Sequence, residues 1–484
     1  MNPAGPSTAP PPTATATDTS RRLLPWLVAV AFFMESLDTT ILNTAVPAIS
    51  SALHVTPLSM KAVLASYTLS LAVFIPISGW MADRFGTRRV FASAIGLFTL
   101  GSFLCGISGN IHLLVACRVL QGCGGAMMVP VGRLTLVRTF AKSDLLRTMS
   151  FVSIPALVAP MLGPIAGGLI VGYLHWRFIF FLNIPIGLAG LVLVYLHLPD
   201  YREGKTSPLD IVGLILFGSG IGLLSYVLEI FGEHTLGPGG MSGLLVLSFV
   251  LLAGYGIHAR GIPFPLLQLK LFGIRTFRAA VSGGFFTRLG IGGVPFLLPL
   301  LYQVGLGFTP IQSGLLVMPQ AIAAMSMKAI MPQLLRRLGY RGVLISNTLI
   351  LGILLMVFAT IGLHTPVWAI VLQAFLYGAF SSLQYTSMNT LVYADIAEKD
   401  ASNASSIAST MQQMAISFGV AAAGLATAFF IPSSHTNPAE MIQGIHKALV
   451  ALGILTIVST IVFRGLKSGD GDDVSQHKVL HPGG

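Results

Sequence analysis

From Leu23 to Ile49 the chain is almost continuously apolar. A run of that length suits one crossing of a hydrocarbon layer, which takes ~20 helical residues at about 1.5 Å each. Runs of the same kind recur nearly to the C-terminal end, at 24–46, 60–81, 90–108, 111–137, 148–172, 177–198, 208–230, 240–259, 279–303, 310–333, 342–362, 365–393, 404–431 and 443–465. Lipid offers a backbone no hydrogen-bond partner, so only helices or closed barrels cross it, and runs this long read as helices. Charged residues make up 9% of the chain, too few to cover the surface of a soluble protein of this length. The expectation is an all-α polytopic membrane protein with about fourteen transmembrane helices. A count of twelve would leave 208–259 partly at the membrane surface.

The net charge of +11 could suggest a nucleic-acid partner, but its placement argues otherwise. With fourteen spans, twenty-one of the 28 Lys and Arg fall on one side, among them Arg84, Arg88, Arg89, Arg138, Arg202, Arg275, Arg336, Arg337, Arg341 and Lys467. Lys61, Arg177 and Lys447 lie at opposite ends. Basic loops stay on the cytoplasmic side of a membrane, so both termini are expected there. The same phase fails with twelve spans. Residues 1–22, rich in Pro, Ala, Thr and Ser, read as a disordered cytoplasmic tail with no cleaved signal. Cys105, Cys117 and Cys123 lie within apolar spans and suit packing better than a disulfide framework or a metal site.

Two acids interrupt the first run. Glu35 and Asp38 are three apart and share one helix face. An ionised side chain at such depth costs roughly 2.5–3.5 kcal/mol on the lenient insertion scale, so that face must look at protein or at a water-filled cavity. Arg118 lies at a depth similar to Asp38, which makes a pair feasible. One carboxyl held charged beside another that can gain a proton suits proton coupling. Arg288 falls near mid-membrane and needs an acid, a polar cluster or an anionic substrate; Glu35 is its candidate partner. Gln121, Gln320 and Gln384 join Glu35, Asp38 and Arg288 as expected lining of a substrate cavity. Lys328 and Arg133 lie toward cytoplasmic ends and are expected to snorkel as structural residues.

The chain also resembles itself. Asp83-Arg84-Phe85-Gly86-Thr87-Arg88-Arg89-Val90-Phe91 recurs as Arg336-Arg337-Leu338-Gly339-Tyr340-Arg341-Gly342-Val343-Leu344. The repeat divides the chain into a six-helix bundle at 23–198, an inserted helix pair with linkers at 199–260, a second six-helix bundle at 261–466, and a cytoplasmic tail at 467–484. Two repeated halves around a central site are the logic of a secondary transporter. Gly79 is expected to let helices approach closely, Gly86 to permit a tight turn, and Asp83 to cap a helix or pair with a base of the neighbouring bundle. Pro164 should bend the fifth helix, with Gly163, Gly167 and Gly168 beside it for close packing.

These segments carry a family likeness. Gly79-Trp80-Met81-Ala82-Asp83-Arg84-Phe85-Gly86-Thr87-Arg88-Arg89 resembles the cytoplasmic signature of the major facilitator superfamily. Arg118-Val119-Leu120-Gln121-Gly122-Cys123-Gly124-Gly125 is similar to its fourth-helix signature, and Gly163-Pro164-Ile165-Ala166-Gly167-Gly168 to the core of its antiporter signature. Leu37–Pro47 and Trp176–Gly187 resemble the fourteen-span drug:proton antiporter branch. The likeness runs from about residue 24 to 465. Ala159 departs from it where a glycine is expected.

The resemblance implies two six-helix bundles plus an inserted pair, and proton-driven export of small amphipathic organic compounds by alternating access. Asp38, Glu35 and Arg118 would couple protons. Gly79, Asp83, Arg84, Gly86, Arg88 and Arg89 would form a cytoplasmic gate. Expected partners are a small organic substrate, protons and the lipid bilayer, in a monomer of the bacterial inner membrane. Gly204-Lys205-Thr206 lacks the first glycine of a phosphate-binding loop, the histidines have no metal spacing, and no nucleophile–base set or nucleic-acid module is visible. No cofactor, metal or enzymatic activity is therefore expected. Alternatives are export of one specific metabolite, or a sensor or scaffold that has lost transport.

Overall fold

Long apolar runs with few breakers give long helices, and among the described residues every regular element is helical. The computed structural model describes residues 18–140, 142–202, 207–230, 237–397, 400–431 and 437–472. Residues 1–17, the Gly204–Thr206 segment, Lys399 and residues 473–484 lie outside them. The helices are α1 (Asp18–Ala52), α2 (Lys61–Phe85), α3 (Thr87–Ile107), α4 (Ile111–Thr139), α5 (Lys142–Tyr173), α6 (Phe178–Phe181) and α7 (Asn183–His197). A pair follows, α8 (Ile211–Ile230) and α9 (Pro238–Gly261). The second half holds α10 (Arg275–Ile291), α11 (Val294–Leu300), α12 (Pro310–Phe358), α13 (Val367–Leu391), α14 (Ala401–Phe430) and α15 (Pro438–Phe463). Helix starts are closed by the residues suited to it: Asn110 accepts the Leu113 N–H at 2.8 Å, and Thr309 and Gln312 form a reciprocal capping box.

Twelve helices among the described residues are long and apolar enough to cross a membrane, against about fourteen expected. Two features account for the difference. The 49-residue α12 is continuous by hydrogen bonding but broken at Gly339, whose φ of 65° is non-helical. A straight helix of that length would span ~73 Å, more than twice a hydrocarbon layer. In α5 the apolar stretch is the shorter Val158–Tyr173.

The halves pack as two bundles. Within the first, α1 lies on α5, α4 and α7, while α4 lies on α2 and α3; within the second, α12 lies on α13 and α15, and α10 on α14 and α15. Across the middle, α2 meets α14 and α5 meets α12. The α8–α9 pair packs on itself and reaches both halves through α2 and α14.

One apolar core joins the two halves at the end away from the basic loops, bringing Ile41, Val46 and Leu64 together with Val294, Leu298 and Val420. That end is also tied by Gln303, which donates to the Thr44 carbonyl at 2.9 Å, and by Ser417, which donates to the Ala65 carbonyl at 3.1 Å. Toward the basic end the cores separate. One holds first-half residues such as Val28, Phe91 and Val131; the other holds second-half residues such as Phe277 and Tyr340 with Phe217 and Ile221 of α8. The halves are closed at one end and parted at the other.

The repeat is visible in the backbone. Gly86 (φ 96°) and Gly339 (φ 65°) occupy matching turns. In each half the segment after the last helix braces that turn. Thr87 N–H donates to the Tyr201 carbonyl at 3.0 Å and Arg88 N–H to Asp200 Oδ1 at 3.2 Å. In the second half, Gly471 lies against the Tyr340 ring and Asp470 takes two hydrogen bonds from Arg275. Those bonds hold the Asp470 carboxyl below the usual carboxylate range. Asp470 and Gly471 therefore dock, where their sequence reads only as a tail.

A Cβ on Gly86 would come within 2.2 Å of Asp200 Oδ1, in backbone geometry that L residues rarely adopt. Gly86→Ala is expected to cost roughly 1–3 kcal/mol and to lower the unfolding temperature in detergent by several degrees. An unchanged melting curve would show that the turn relaxes freely.

Candidate functional site

The parting of the halves leaves a cavity of about 1340 Å³, entered from the basic end between Asp83, Val137, Ser207, Leu266 and Tyr393 and reaching inward to Asn43, Leu64 and Gly292. Its first-half wall comes from α1, α2 and α4, its second-half wall from α14, Pro295 of α11 and the end of α13.

Asp38 is not on the cavity surface. It lies one layer behind, 1% exposed, and is held by donors from α4 and α7. Arg118 Nη1 donates to Asp38 Oδ2 at 2.5 Å, while Gln121 Nε2 and Asn183 Nδ2 donate to Asp38 Oδ1 at 2.9 and 3.1 Å. Ser102 Oγ ties the two amides together, accepting from Gln121 at 2.6 Å and from Asn183 at 3.2 Å. Gly101 lets α3 approach the Gln121 backbone, which a Cβ would reach at 2.7 Å. Arg118 spans the layers. It donates to Gln121 Oε1 at 2.7 Å, lies 4.2 Å from the centre of the Tyr67 ring, and still borders the cavity. A carboxylate so supplied with donors has its charge matched and its lone pairs filled, which burial requires.

Glu35, one turn nearer the basic end, lines the cavity directly and has no hydrogen-bond partner among the described residues. The two acids of α1 are thus separated by environment: one buried and paired, the other facing the opening.

Arg133 is not a snorkelling strut as expected. It lines the cavity, with its guanidinium 5.4 Å from the Phe32 ring centre, one turn from Glu35. Depth alone suggested the membrane surface, but the cavity brings water to that depth. Lys328 is exposed on α12 and does not line the cavity.

Arg288 is 5% exposed and meets no acid among the described residues, so the proposed Glu35 contact is absent from this arrangement. It donates to Asn389 Oδ1 at 3.1 Å and Gln412 Oε1 at 3.2 Å and lies 4.9 Å from the Tyr385 ring centre. Asn389 and Gln412, not Arg288, reach the cavity.

Three amides expected in the lining are elsewhere. Gln121 belongs to the Asp38 network. Gln384 is fully buried, accepting from Asn347 at 2.7 Å and donating to Thr348 at 2.8 Å inside the second half. Gln320 packs on α13, where a Cβ on Gly378 would strike its carbonyl at 2.1 Å. Interhelical pairing claims Gln121 and Gln384, because an amide in lipid-depth protein is satisfied most cheaply by a neighbouring helix.

At the cavity mouth Asp83 pairs with Arg138 of its own bundle at 2.8 Å, not with the opposite half. Arg84 and Arg89 are exposed and Arg88 is half-buried. Gly79 faces open space, with nothing within 4 Å of a Cβ, so in this arrangement it mediates no close approach. Trp80 Nε1 donates to the Ser207 carbonyl at 2.8 Å, anchoring the linker to α8. That linker is clasped by Asp210, which accepts from His258 Nε2 at 2.8 Å and from the N–H groups of Gly213 and Leu266 at 2.7 and 3.0 Å. Burial would raise its carboxyl, but the His258 bond and these N–H donors outweigh it and hold it below the usual range. Asp200 and Asp210 have no signature in the local sequence; only their positions beside apolar spans set them apart, whereas Asn183 lies within the Trp176–Gly187 segment that carries the family likeness.

The glycines of α5 make two seams. Gly163 and Gly167 face α1, where a Cβ would come within 2.1 Å of Thr40 Oγ1 and 2.4 Å of the Ile41 carbonyl. Gly168 faces the other half, where a Cβ would come within 2.6 Å of the Pro310 carbonyl, and Gly314 of α12 returns the contact, where a Cβ would come within 2.3 Å of the Pro164 carbonyl. Ala159 is fully buried.

Two helical bundles with a polar cavity between them, parted at one end and sealed at the other, define a multi-pass membrane transporter. The comparisons with known proteins agree. The model of the Major Facilitator Superfamily matches residues 28–420. The chain is 40% identical over 425 residues to the "Putative multidrug resistance protein MdtD" of Serratia proteamaculans, covering 88% of each chain. It is 42% identical over 405 residues to the protein of the same name in Escherichia coli O7:K1, covering 84% of this chain and 86% of that one. Among solved structures, a bacterial homologue of the human lysosomal transporter Spinster, inward-facing and occupied, superposes with a TM-score of 0.66 at 12% identity, over 93% of this chain and 97% of that one. A bacterial homologue of the peptide transporters PepT1 and PepT2 gives 0.62 at 15%, over 92% and 97%. This chain belongs to the Major Facilitator Superfamily.

Proposed function

We propose that the protein exports small organic compounds from the cytoplasm in exchange for protons, by alternating access across the bacterial inner membrane, with both termini cytoplasmic. The observation that carries this reading is the division of labour on α1: Asp38 is buried against Arg118, and Glu35 stands one turn away in the cavity. With its basic end placed in the cytoplasm by the charge of its loops, the arrangement is inward-facing.

The cycle uses the chain's own groups. In the outward-facing state a proton reaches the Glu35/Asp38 site. Neutralising a carboxyl there loosens Arg118 or weakens the hold on substrate, which leaves. The neutral site permits return to the inward-facing state, where the proton departs and new substrate enters past Asp83 and Arg138. Asp83 and the 84–89 turn latch the cytoplasmic side during export. The relatives' name supports small-molecule efflux as the class of work, and export of one specific metabolite remains a second reading favoured by the polar character of the cavity wall.

The test is accumulation in everted vesicles of a panel spanning lipophilic cations and small carboxylates, driven by an imposed pH gradient. Glu35→Gln, which fixes the cavity carboxyl in a neutral form, is expected to lower gradient-driven uptake about 100-fold or more, the scale of losing a positioned proton acceptor. Uptake that survives both this change and a protonophore would exclude proton exchange.

A further inference from the structure

The second-half wall of the cavity carries a chemistry that the export reading leaves undefined. Arg288 spends its Nη2 on the side-chain oxygens of Asn389 and Gln412. A guanidinium has donors only, so each amide must turn its oxygen toward it. Both residues border the cavity, and their NH2 groups have no other partner among the described residues. They are therefore left to point donors into it. The wall continues along one face of α14 through Ser402, Ser405, Ser409 and Gln412, at helical spacings of three and four, with neither charge nor aromatic ring.

The charges around this wall do not cancel. Arg118 is paired with Asp38, Asp83 with Arg138 and Asp210 with His258. Glu35 and Arg133, one acid and one base, both line the opposite wall. Arg288 is left as a buried cation with no acid beside it among the described residues. Its charge reaches the cavity through two amides that it polarises, in surroundings where buried charge is screened weakly.

From this geometry we infer that the cavity selects a small, hydroxyl-rich organic anion such as a sugar acid, whose carboxylate is received by the Asn389 and Gln412 donors under the charge of Arg288 and whose hydroxyls are paired by the α14 serines. A lipophilic cation would meet the wrong charge there and would leave the wall's hydroxyls and amides unpaired, which is the costly outcome for a polar surface. The inference rests on the reading of this cavity as the substrate site and narrows its substrate class.

The experiment is equilibrium binding to the purified full chain in lipid nanodiscs, with gluconate and glucuronate as anionic probes, glucose as the neutral one and tetraphenylphosphonium as the lipophilic cation. The sugar acids are expected to bind, glucose to bind roughly tenfold more weakly or worse, and tetraphenylphosphonium not to displace them. Arg288→Gln should weaken the sugar acids by about tenfold or more while leaving glucose as it was. If that variant does not fold, Asn389→Asp places a carboxylate against Arg288 and should remove the anion preference in the same way.

Failure of every sugar acid to bind, their displacement by tetraphenylphosphonium, or unchanged anion affinity in the folded Arg288→Gln or Asn389→Asp protein would each overturn the inference. Binding in nanodiscs needs no proton gradient, so these failures leave proton exchange untouched. Sugar-acid binding without gradient-driven transport would instead sink the exchange reading and leave this one standing.

Discussion

Asp38→Asn is expected to reduce proton-driven efflux to background while the protein still inserts in the membrane. Asp38 receives hydrogen bonds from Arg118, Gln121 and Asn183 and gives none. Asparagine offers one oxygen where the carboxylate offered two, and turns an NH2 group toward donors. It also removes the acid paired with Arg118, itself 1% exposed. Breaking a buried pair from one side costs about 3–5 kcal/mol, so a lower melting temperature should accompany the loss of transport. The double variant Asp38→Asn, Arg118→Gln separates the two effects. It removes both charges and should recover much of the stability without recovering efflux. Vesicle uptake and thermal unfolding in detergent read the two quantities side by side. Undiminished uptake in Asp38→Asn would take Asp38 out of the mechanism.

Gly314→Leu is the second change with a large expected effect, and it acts on access instead of chemistry. Gly314 and Gly168 let α12 and α5 touch through backbone, and a Cβ at Gly314 would lie 2.3 Å from the Pro164 carbonyl. Forcing a side chain into so close a contact costs roughly 1–3 kcal/mol, enough to shift a two-state equilibrium about 5- to 150-fold. The strain falls on the arrangement seen here, with the sealed end intact, so the population should move toward the opposite access state. A cysteine placed at Ser409, on the cavity wall, reads the shift. Its labelling from the basic side should fall sharply in Gly314→Leu and transport should fall with it. Gly79→Leu is the counterpart. Gly79 has open space beside it here, so a side chain costs nothing in this state and should raise the same labelling if the α2 end closes in the other. Equal labelling in all three proteins would show that neither seam depends on state.

How much of this was legible beforehand differs residue by residue. The Asp38–Arg118 pair could be anticipated, because depth in a membrane follows from counting residues along a helix at a fixed rise. The turns at Gly86 and Gly339 could be anticipated too, since the repeated pattern places a glycine where φ turns positive. Asn183 and Ser102, which complete the Asp38 network, could not. They sit 145 and 64 residues away along the chain, and nothing local marks an amide or hydroxyl as facing one neighbour over another. Gln384 shows the same limit in reverse: it has the chemistry of a cavity residue and pairs with another helix. Arg133 departs from the expectation of a snorkelling strut because distance from a span's end does not measure nearness to an internal opening, and here the cavity wall includes it.

The sequence by itself determined that the chain is helical, that it lies in a membrane, which end is basic and that its halves repeat. Each of these follows from properties summed along the chain: apolar length, charge placement and local backbone preference, all strong because lipid leaves a backbone few alternatives. Only the tertiary structure decided which end is sealed, which acid faces the opening and which stands behind it, and that Arg288 speaks to the cavity through Asn389 and Gln412. Those are matters of helix rotation and of contacts between distant segments. A difference of one residue in facing, about 100° around a helix, separates a buried partner from a wall residue.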